Sequence, residues 1–263
     1  MISQQSNGTL YFQFESFLAP DLFHGVFSRK GGVSPEPWQS LNLGGTVGDE
    51  PENVKQNLNR VLDASGFSGD QLVQVKQVHS AKVIKADLAG EALQEGDAIT
   101  TNREGLLLLM RFADCVPVLF YDPVHQAIAI AHAGWKGTLK GVVAEVVRLM
   151  GGQFNSSPGE IIAGIGPSIG PDHYFIGHDV IEQTKSAFPK QYPQLLREEE
   201  DGVKLDLWKA NELHLRKAGV EQIDTAGLCT GCDLEHWYSH RAEEGSTGRF
   251  AAVIGLRGKT SYG

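Results

Sequence analysis

The stretch from residue 105 to residue 133 constrains the fold more than any other. It reads GLLLLMRFADCVPVLFYDPVHQAIAIAHA, three apolar runs of strand length at 105–112, 116–121 and 127–133. Each is bounded by turn signals. Tyr121-Asp122-Pro123 separates the last two runs and predicts an antiparallel hairpin. Residues 72–78 and 82–86 read as two more strands, and 161–165 and 250–256 (FAAVIGL) as buried strands late in the chain. Helices are fewer. Residues 51–64 open with Pro51, carry Val54, Leu58, Val61 and Leu62 on one face, and are followed by Gly66. Residues 138–150 put Val142, Val143, Val146, Val147 and Met150 on one face, and 179–188 and 206–218 complete the helical set. Loops are expected at 31–37 (GGVSPEP) and 151–159 (GGQFNSSPG). Strands and helices do not alternate as a doubly wound sheet requires. The expected fold class is therefore α/β (α+β), a mixed β-sheet sandwich flanked by helices, with residues 1–263 as a single domain.

Glycine is frequent, 31 of 263 residues, but no repeat, low-complexity tract or linker divides the chain. Lys plus Arg number 23 against 32 Asp plus Glu, a formal charge of −9. That balance argues against nucleic acid or a membrane as partner, since both call for a basic surface. A small anionic substrate at a local basic site remains compatible with it. The longest apolar run, 106–110, stops at Arg111. It is far below the roughly 20 residues of a membrane span. The N-terminus lacks the basic and apolar regions of a secretory signal. Cys115, Cys229 and Cys232 are too few for a disulfide framework, so a reducing, cytoplasmic setting is expected.

Three polar residues stand out by position. His79 ends a strand pattern (LVQVKQVHS), Cys115 sits at the break between two apolar runs, and His132 closes a third (AIAIAHAGWKG). Strand ends beside turns are where a rigid scaffold presents functional groups. One thiolate and two imidazoles form a zinc set with a position open for water or substrate. They equally form a Cys nucleophile with a His base. The ordinary reading of each is structural: a lone Cys among apolar residues is usually a small buried hydrophobe. Asp114 beside Cys115 is harder to dismiss, because a buried acid needs partners.

The words around these residues resemble a known family. ADCVPVLFYDP followed by AIAIAHAGWKGT is similar to the signature of the YfiH-type purine nucleoside phosphorylases, formerly described as laccase-like multicopper polyphenol oxidoreductases. KQVHSAKV, SLNLGGTVGDEPENVKQN, IGPSIGP and CTGCDLEHWYSHRAEEGSTGRFAAVIGL resemble the family's other blocks, in order, from about Phe27 to Leu256. The resemblance implies a zinc ion held by His79, Cys115 and His132, which would also be the catalytic centre. It implies phosphorolysis of adenosine, inosine and S-methyl-5'-thioadenosine, deamination of adenosine, and a mixed α/β sandwich built on a pair of sheets. Some bacterial members are linked to quality control of peptidoglycan precursors. Two departures stand out: Lys136 where many relatives have Arg, and Asp172-His173 where Cys-rich or Tyr-adjacent residues are frequent. Lys136 keeps a cation but loses the bidentate fork.

Purine nucleosides and phosphate are accordingly the expected partners. Arg249, Arg241, Lys136 and the turns at Gly44-Gly45 and 134–137 are candidates to hold phosphate, through charge or through backbone N–H groups. Asn42 and Ser40 are candidates to orient substrate, or simply to shape a turn. In deamination, zinc would activate a water for attack at C6 of adenine. Copper is expected only as an adventitious ion. A blue-copper set adds an axial Met, but Met110 lies five residues before Cys115 on an extended strand and faces away from it. Cys229-Thr230-Gly231-Cys232 is a C-x-x-C that reads as a redox pair or half a zinc site. No second C-x-x-C exists, and His236 follows too closely to make a comfortable third ligand. The rival readings are a metal-independent cysteine hydrolase acting on peptidoglycan precursors and a metal-binding protein without turnover.

Overall fold

The computed structural model describes residues 1–258. Its strands are β1 (Ile2–Ser6), β2 (Thr9–Gln13), β3 (Leu22–Phe27), β4 (Leu72–Val73), β5 (Val83–Lys85), β6 (Ala98–Thr101), β7 (Leu107–Phe112), β8 (Val116–Asp122), β9 (Ala127–Ala133), β10 (Ile162–Ile165), β11 (Phe175–Ile176), β12 (Leu196–Glu199), β13 (Gly202–Leu205), β14 (Gln222–Thr225) and β15 (Phe250–Leu256). Its α-helices are α1 (Pro51–Ser65), α2 (Trp135–Leu139), α3 (Val142–Phe154), α4 (His178–Ala187) and α5 (Leu207–Lys217). One six-stranded sheet runs β1-β2-β3-β15-β7-β4 and a second runs β14-β10-β8-β9-β6-β5. A small third sheet, β11-β13-β12, lies apart from them in strand order. Both large sheets are mixed: β4–β7, β5–β6 and β10–β14 are parallel and the other pairs antiparallel. The expected mixed α/β class is the one observed.

Alternation along the central strands builds four layers. In β7, Leu107 and Leu109 face α1, while Leu108, Met110 and Phe112 face the space between the sheets. β15 does the same, with Ala251 and Val253 outward and Phe250, Ala252, Ile254 and Leu256 inward. In β9 the row Ala127, Ala129, Ala131 and Ala133 lies against α3, and Ile128 and Ile130 point to the inter-sheet core. The order of layers is therefore helix, sheet, sheet, helices. Each sheet is covered on both faces, which is why β8, β9 and β15 are buried along their full length. The alanine row leaves room for Val143, Val147 and Met150 of α3 to pack closely.

Most predicted elements stand. The hairpin joins β8 to β9 with Asp122 opposite Ala127. Helix α1 starts on Pro51 and ends on Gly66 at φ 75°, whose N–H bonds Leu62 O. Three expectations change. The helix expected over 138–150 is two helices, because Gly141 at φ 76° separates α2 from α3. Helix α3 continues to Phe154, so Gly151 and Gly152 are helical rather than loop. The strand expected over 72–78 pairs with β7 only at Leu72 and Val73, and the chain then leaves that sheet toward His79, with one isolated bridge from Lys76 to Glu95. Among the described residues no helix is long and apolar enough to cross a membrane.

Candidate metal centre and cavity

Each residue of the trio arrives by a different local device. His132 occupies the third place in the row Ile128, Ile130, His132, so the alternation that buries the isoleucines carries its ring into the end of the inter-sheet core. Its ring centroid lies 5.6 Å from that of Phe112. Cys115 follows Asp114, which bridges β7 and β8 at φ 77°. His79 itself sits at φ 59°. Such backbone is uncommon outside glycine and persists where surrounding bonds over-determine it. The Asp114 carboxylate accepts from Thr230 Oγ1 and Ser239 Oγ, both at 2.7 Å, and from the Arg241 N–H at 2.6 Å. The Gln77 amide donates to Arg111 O and accepts from Arg111 N–H, at 2.8 and 2.9 Å, pinning the His79 loop to β7.

Asp97 binds the arrangement together, and sequence reasoning missed it. It is fully buried just before β6. Its Oδ1 accepts from His79 N–H and from His132 Nδ1, each at 2.9 Å, and its Oδ2 accepts from Ser80 N–H at 2.5 Å and Ser80 Oγ at 2.7 Å. Val78 N–H is 3.2 Å from both oxygens. Burial works to raise the Asp97 carboxyl, but the hydrogen bonds from His132 and Ser80 prevail and hold it well below the usual carboxylate range. An ionised carboxylate only accepts, so His132 carries a proton on Nδ1, and Nε2 is the nitrogen that remains to meet Cys115.

One donor atom from each of His79, Cys115 and His132 lies within 4.8 Å of the others. Burial opposes ionisation of Cys115, yet the charge of His132 and hydrogen bonds from both imidazoles bring its pKa down to about 6. Burial lowers His132 in turn, while the Cys115 thiolate and Asp97 raise it to about 9. Gly134 explains the close approach of the next segment: a Cβ there would stand 2.8 Å from Cys115 Sγ and 3.3 Å from His79 Cδ2.

Beside His79 and Cys115 opens a cavity of about 240 Å³. His79 and Cys115 form part of its floor, Trp135, Tyr174, Ile169 and Leu207 its aromatic and apolar walls, and His240 and Arg241 a polar edge. The Arg241 guanidinium sits 5.3 Å over the Tyr174 ring and donates to Phe175 O at 2.7 Å. Burial, helped by the Cys115 thiolate, keeps the Tyr174 hydroxyl protonated beyond the ordinary tyrosine range. None of the sequence signals singled out Trp135, Tyr174 or His240.

The four substrate-contact candidates separate. Arg241 lines the cavity. Arg249 is half-buried: burial lowers its pKa against the charges of Cys115 and Asp114, and its Nη1 donates to Thr247 O and Gly248 O. Asn42 is fully buried and its amide is spent within the chain, accepting from Gly44 N–H and Arg249 N–H and donating to Asp49. Lys136 is exposed, lies 5.4 Å from the Trp135 ring and borders a different hollow, with Asp179 and Gln183. Met110 lies buried between the sheets.

A family model described as Multi-copper polyphenol oxidoreductase laccase matches residues 23–257. The chain is 36% identical over 245 residues to purine nucleoside phosphorylase YlmD of Geobacillus stearothermophilus, covering 89% of each. It is 36% identical over 231 residues to purine nucleoside phosphorylase YfiH of Escherichia coli, covering 87% of this chain and 91% of the relative. The crystal structure of Bacillus licheniformis hypothetical protein YfiH superposes with a TM-score of 0.90 at 33% identity, over 97% of this chain and 99% of the other. With sequence and backbone agreeing over nearly its whole length, the chain belongs to the YfiH-type purine nucleoside phosphorylase family, the one whose model keeps the older laccase description.

Proposed function

We propose that the chain is a zinc-dependent purine nucleoside phosphorylase acting on adenosine, inosine and S-methyl-5'-thioadenosine. Deamination of adenosine is a second activity of the same cavity, and a single domain in a reducing, cytoplasmic setting carries both. One observation carries the reading: two members of the His79–Cys115–His132 cluster, His79 and Cys115, line an aromatic and cationic cavity. They do so in a chain whose relatives are named purine nucleoside phosphorylases. The donor set fits a zinc ion. One soft thiolate and two imidazoles converge, Asp97 fixes the tautomer of His132 from behind, and Gly134 leaves free the space a Cβ would fill. A bound zinc ion would supply Lewis-acid charge and an open coordination position.

The chain's own side chains do the rest. Trp135 and Tyr174 offer flat faces to a purine, and Ile169 and Leu207 exclude water beside them. Arg241, anchored on Phe175 O, brings a positive charge to the cavity edge, where a phosphate dianion would be held against the ribose. Arg249 adds a second positive charge near Cys115. In phosphorolysis the C1'–N9 bond breaks as a phosphate oxygen bonds C1', and positive groups around the cavity stabilise the charge passing to the purine. Asn42 acts indirectly, by fixing the Arg249 backbone.

The test is incubation of the purified protein with adenosine, with and without phosphate, and separation of products by chromatography. Adenine formed only with phosphate, and inosine formed without it, are the expected results. No product from adenosine, inosine or S-methyl-5'-thioadenosine under either condition overturns the reading. Cys115→Ala should lose both metal and activity and keep its fold. Full activity in that variant would show that the centre lies elsewhere.

A second reading has a specific observation behind it. Cys115, His132 and Asp97 stand in the order nucleophile, base, orienting carboxylate. That order suits a metal-independent cysteine hydrolase acting on peptidoglycan precursors. Metal content separates the two: a chelator-stripped protein keeps full activity under the hydrolase reading and loses it under the zinc reading. Zinc bound without turnover of any nucleoside would leave a metal-binding protein.

A further inference from the structure

The C-x-x-C near the C-terminus lacked a third ligand in the sequence, and the chain folds one onto it. His173, 56 residues before Cys229, lies with its Nδ1 3.7 Å from Cys229 Sγ and 3.5 Å from Cys232 Sγ. His236, the nearer histidine in sequence, is turned away, with its Nδ1 2.8 Å from Asp233 Oδ2. All three cysteines are free.

We propose that His173, Cys229 and Cys232 form a second zinc site, separate from the cavity centre, which clips together the two loops that wall the cavity. The geometry suits the ion. Zn–S of about 2.3 Å and Zn–N of about 2.0–2.1 Å at a tetrahedral angle set an S···N edge of about 3.6 Å. The two observed separations lie on either side of that value. Two thiolates and a neutral imidazole also balance a divalent cation in charge. Cys229 Sγ already accepts the Gly170 N–H at 3.1 Å, the kind of outer bond that steadies a metal-bound thiolate. Gly170 and Gly231 keep the approach narrow: Cβ atoms there would stand 3.0 Å from Cys229 Cβ and 3.5 Å from His173 Cβ.

The position gives the site its consequence. His173 precedes Tyr174, the aromatic wall, and the Cys229–Cys232 loop leads into His240 and Arg241 at the cavity edge. Ser168 N–H to Leu228 O and Thr230 N–H to Ser168 O already lace the two segments together. An ion across their tips would close the lacing at its open end. His173 and Cys232 are exposed, so this ion exchanges with chelators sooner than one at the buried His132.

Metal analysis after reconstitution of the chelator-treated protein with zinc tests the proposal. The expected stoichiometry is two ions per chain in the wild type, one in Cys115→Ala, one in Cys229→Ser/Cys232→Ser, and none in the triple variant. The two centres fail separately: the ion retained in Cys115→Ala reports on the clip alone. Cobalt gives a second readout, because thiolate-to-metal absorption should fall to about one third when one of three thiolates remains. His173→Gln keeps both thiols and should weaken the second ion at least tenfold without removing the first, a check should the double variant fold poorly. One ion per chain that vanishes with Cys115→Ala overturns the proposal. So does a stoichiometry that the double serine variant leaves at two.

Discussion

Asp97→Asn is the substitution that separates an organiser of the His79–Cys115–His132 cluster from a residue that merely fills space. Asn has the same shape, but one carboxylate oxygen becomes an NH2. At the Oδ1 position that NH2 would face the His79 N–H and the His132 Nδ1–H, two donors at 2.9 Å. At the Oδ2 position it would face the Ser80 N–H, while the Ser80 hydroxyl can turn and accept. The second placement is cheaper and still leaves one buried N–H without an acceptor, about 1–3 kcal/mol. The remaining bonds lose the extra strength of a charged acceptor, so the metal-free protein should be destabilised by about 2–4 kcal/mol. The zinc-bound protein should lose more. Removing the partner that orients a ligating histidine weakens metal binding about 10–100-fold. At saturating zinc, a hundredfold weaker site forfeits up to about 2.7 kcal/mol of binding stabilisation. Urea unfolding of wild type and variant, each stripped and zinc-saturated, gives the two gaps, and a zinc competition assay gives the affinity directly. A gap of the same size in both forms, with unchanged affinity, would refute the reasoning. It would mean that Asp97 holds the loop at 78–80 and contributes nothing to the orientation of His132.

Gly134→Ala tests crowding alone, since φ −65° and ψ 170° at Gly134 suit any residue. The new Cβ, 2.8 Å from Cys115 Sγ, should lower zinc affinity about 10–100-fold with the fold intact by circular dichroism. Unchanged zinc binding would place the ion elsewhere. His24 predicts an acid-side stability loss. Burial lowers its pKa to about 4, and Nε2 accepts the Phe14 N–H, a bond only the unprotonated nitrogen can make. As pH falls from about 6.5 to about 4 the unfolded chain takes up a proton that the native state refuses, and about 3 kcal/mol of stability is lost. Urea midpoints should show the slope in wild type and a flattened one in His24→Gln; equal slopes would exclude His24 as the cause. Gly141→Ala puts a side chain at φ 76° between α2 and α3, where the Cβ meets only the His214 ring at 3.6 Å. It should cost about 1–2 kcal/mol of backbone strain by thermal unfolding, and no loss would show that the helix break relaxes.

The parts of the fold visible in the sequence are those covered on both sides. β8, β9 and β15 are apolar at nearly every position because a sheet packs on one face and helices or the other sheet on the opposite face. The edges were invisible for the complementary reason. β1 and β2, ISQQS and TLYFQ, pair with each other at the rim of the first sheet and are only partly buried. Their sequence matches exposed chain as well as it matches strand. β11, β12 and β13 are two to four residues long, below the length at which a period can register. The helix break at Gly141 was hidden by its own surroundings, since valines at 142, 143, 146 and 147 continue the apolar face regardless of where the backbone turns.

The site divides along a similar line, between residues whose strand announces them and residues whose partners lie far along the chain. His132 is legible because AIAIAHA makes it the odd member of a regular row: two isoleucines at the same parity point to the inter-sheet core, so the imidazole must point there too. An imidazole placed there demands a polar partner, and the demand is all that local sequence contains. The partner is Asp97, 35 residues earlier, and nothing about an aspartate before a strand distinguishes it from a turn residue. The C-x-x-C shows the same limit. A search for the missing ligand along the chain reaches His236, which is committed to Asp233, while the fold delivers His173 from the far side of α4 and α5. Both histidine sets are completed where distant segments meet in isolated parallel bridges, Lys76 beside Glu95 in one case and Ser168 beside Cys229 in the other. A side-chain cluster in a fold of this kind is therefore only half written at its own residues. The other half is written in the strands that decide which distant loop comes back to meet them.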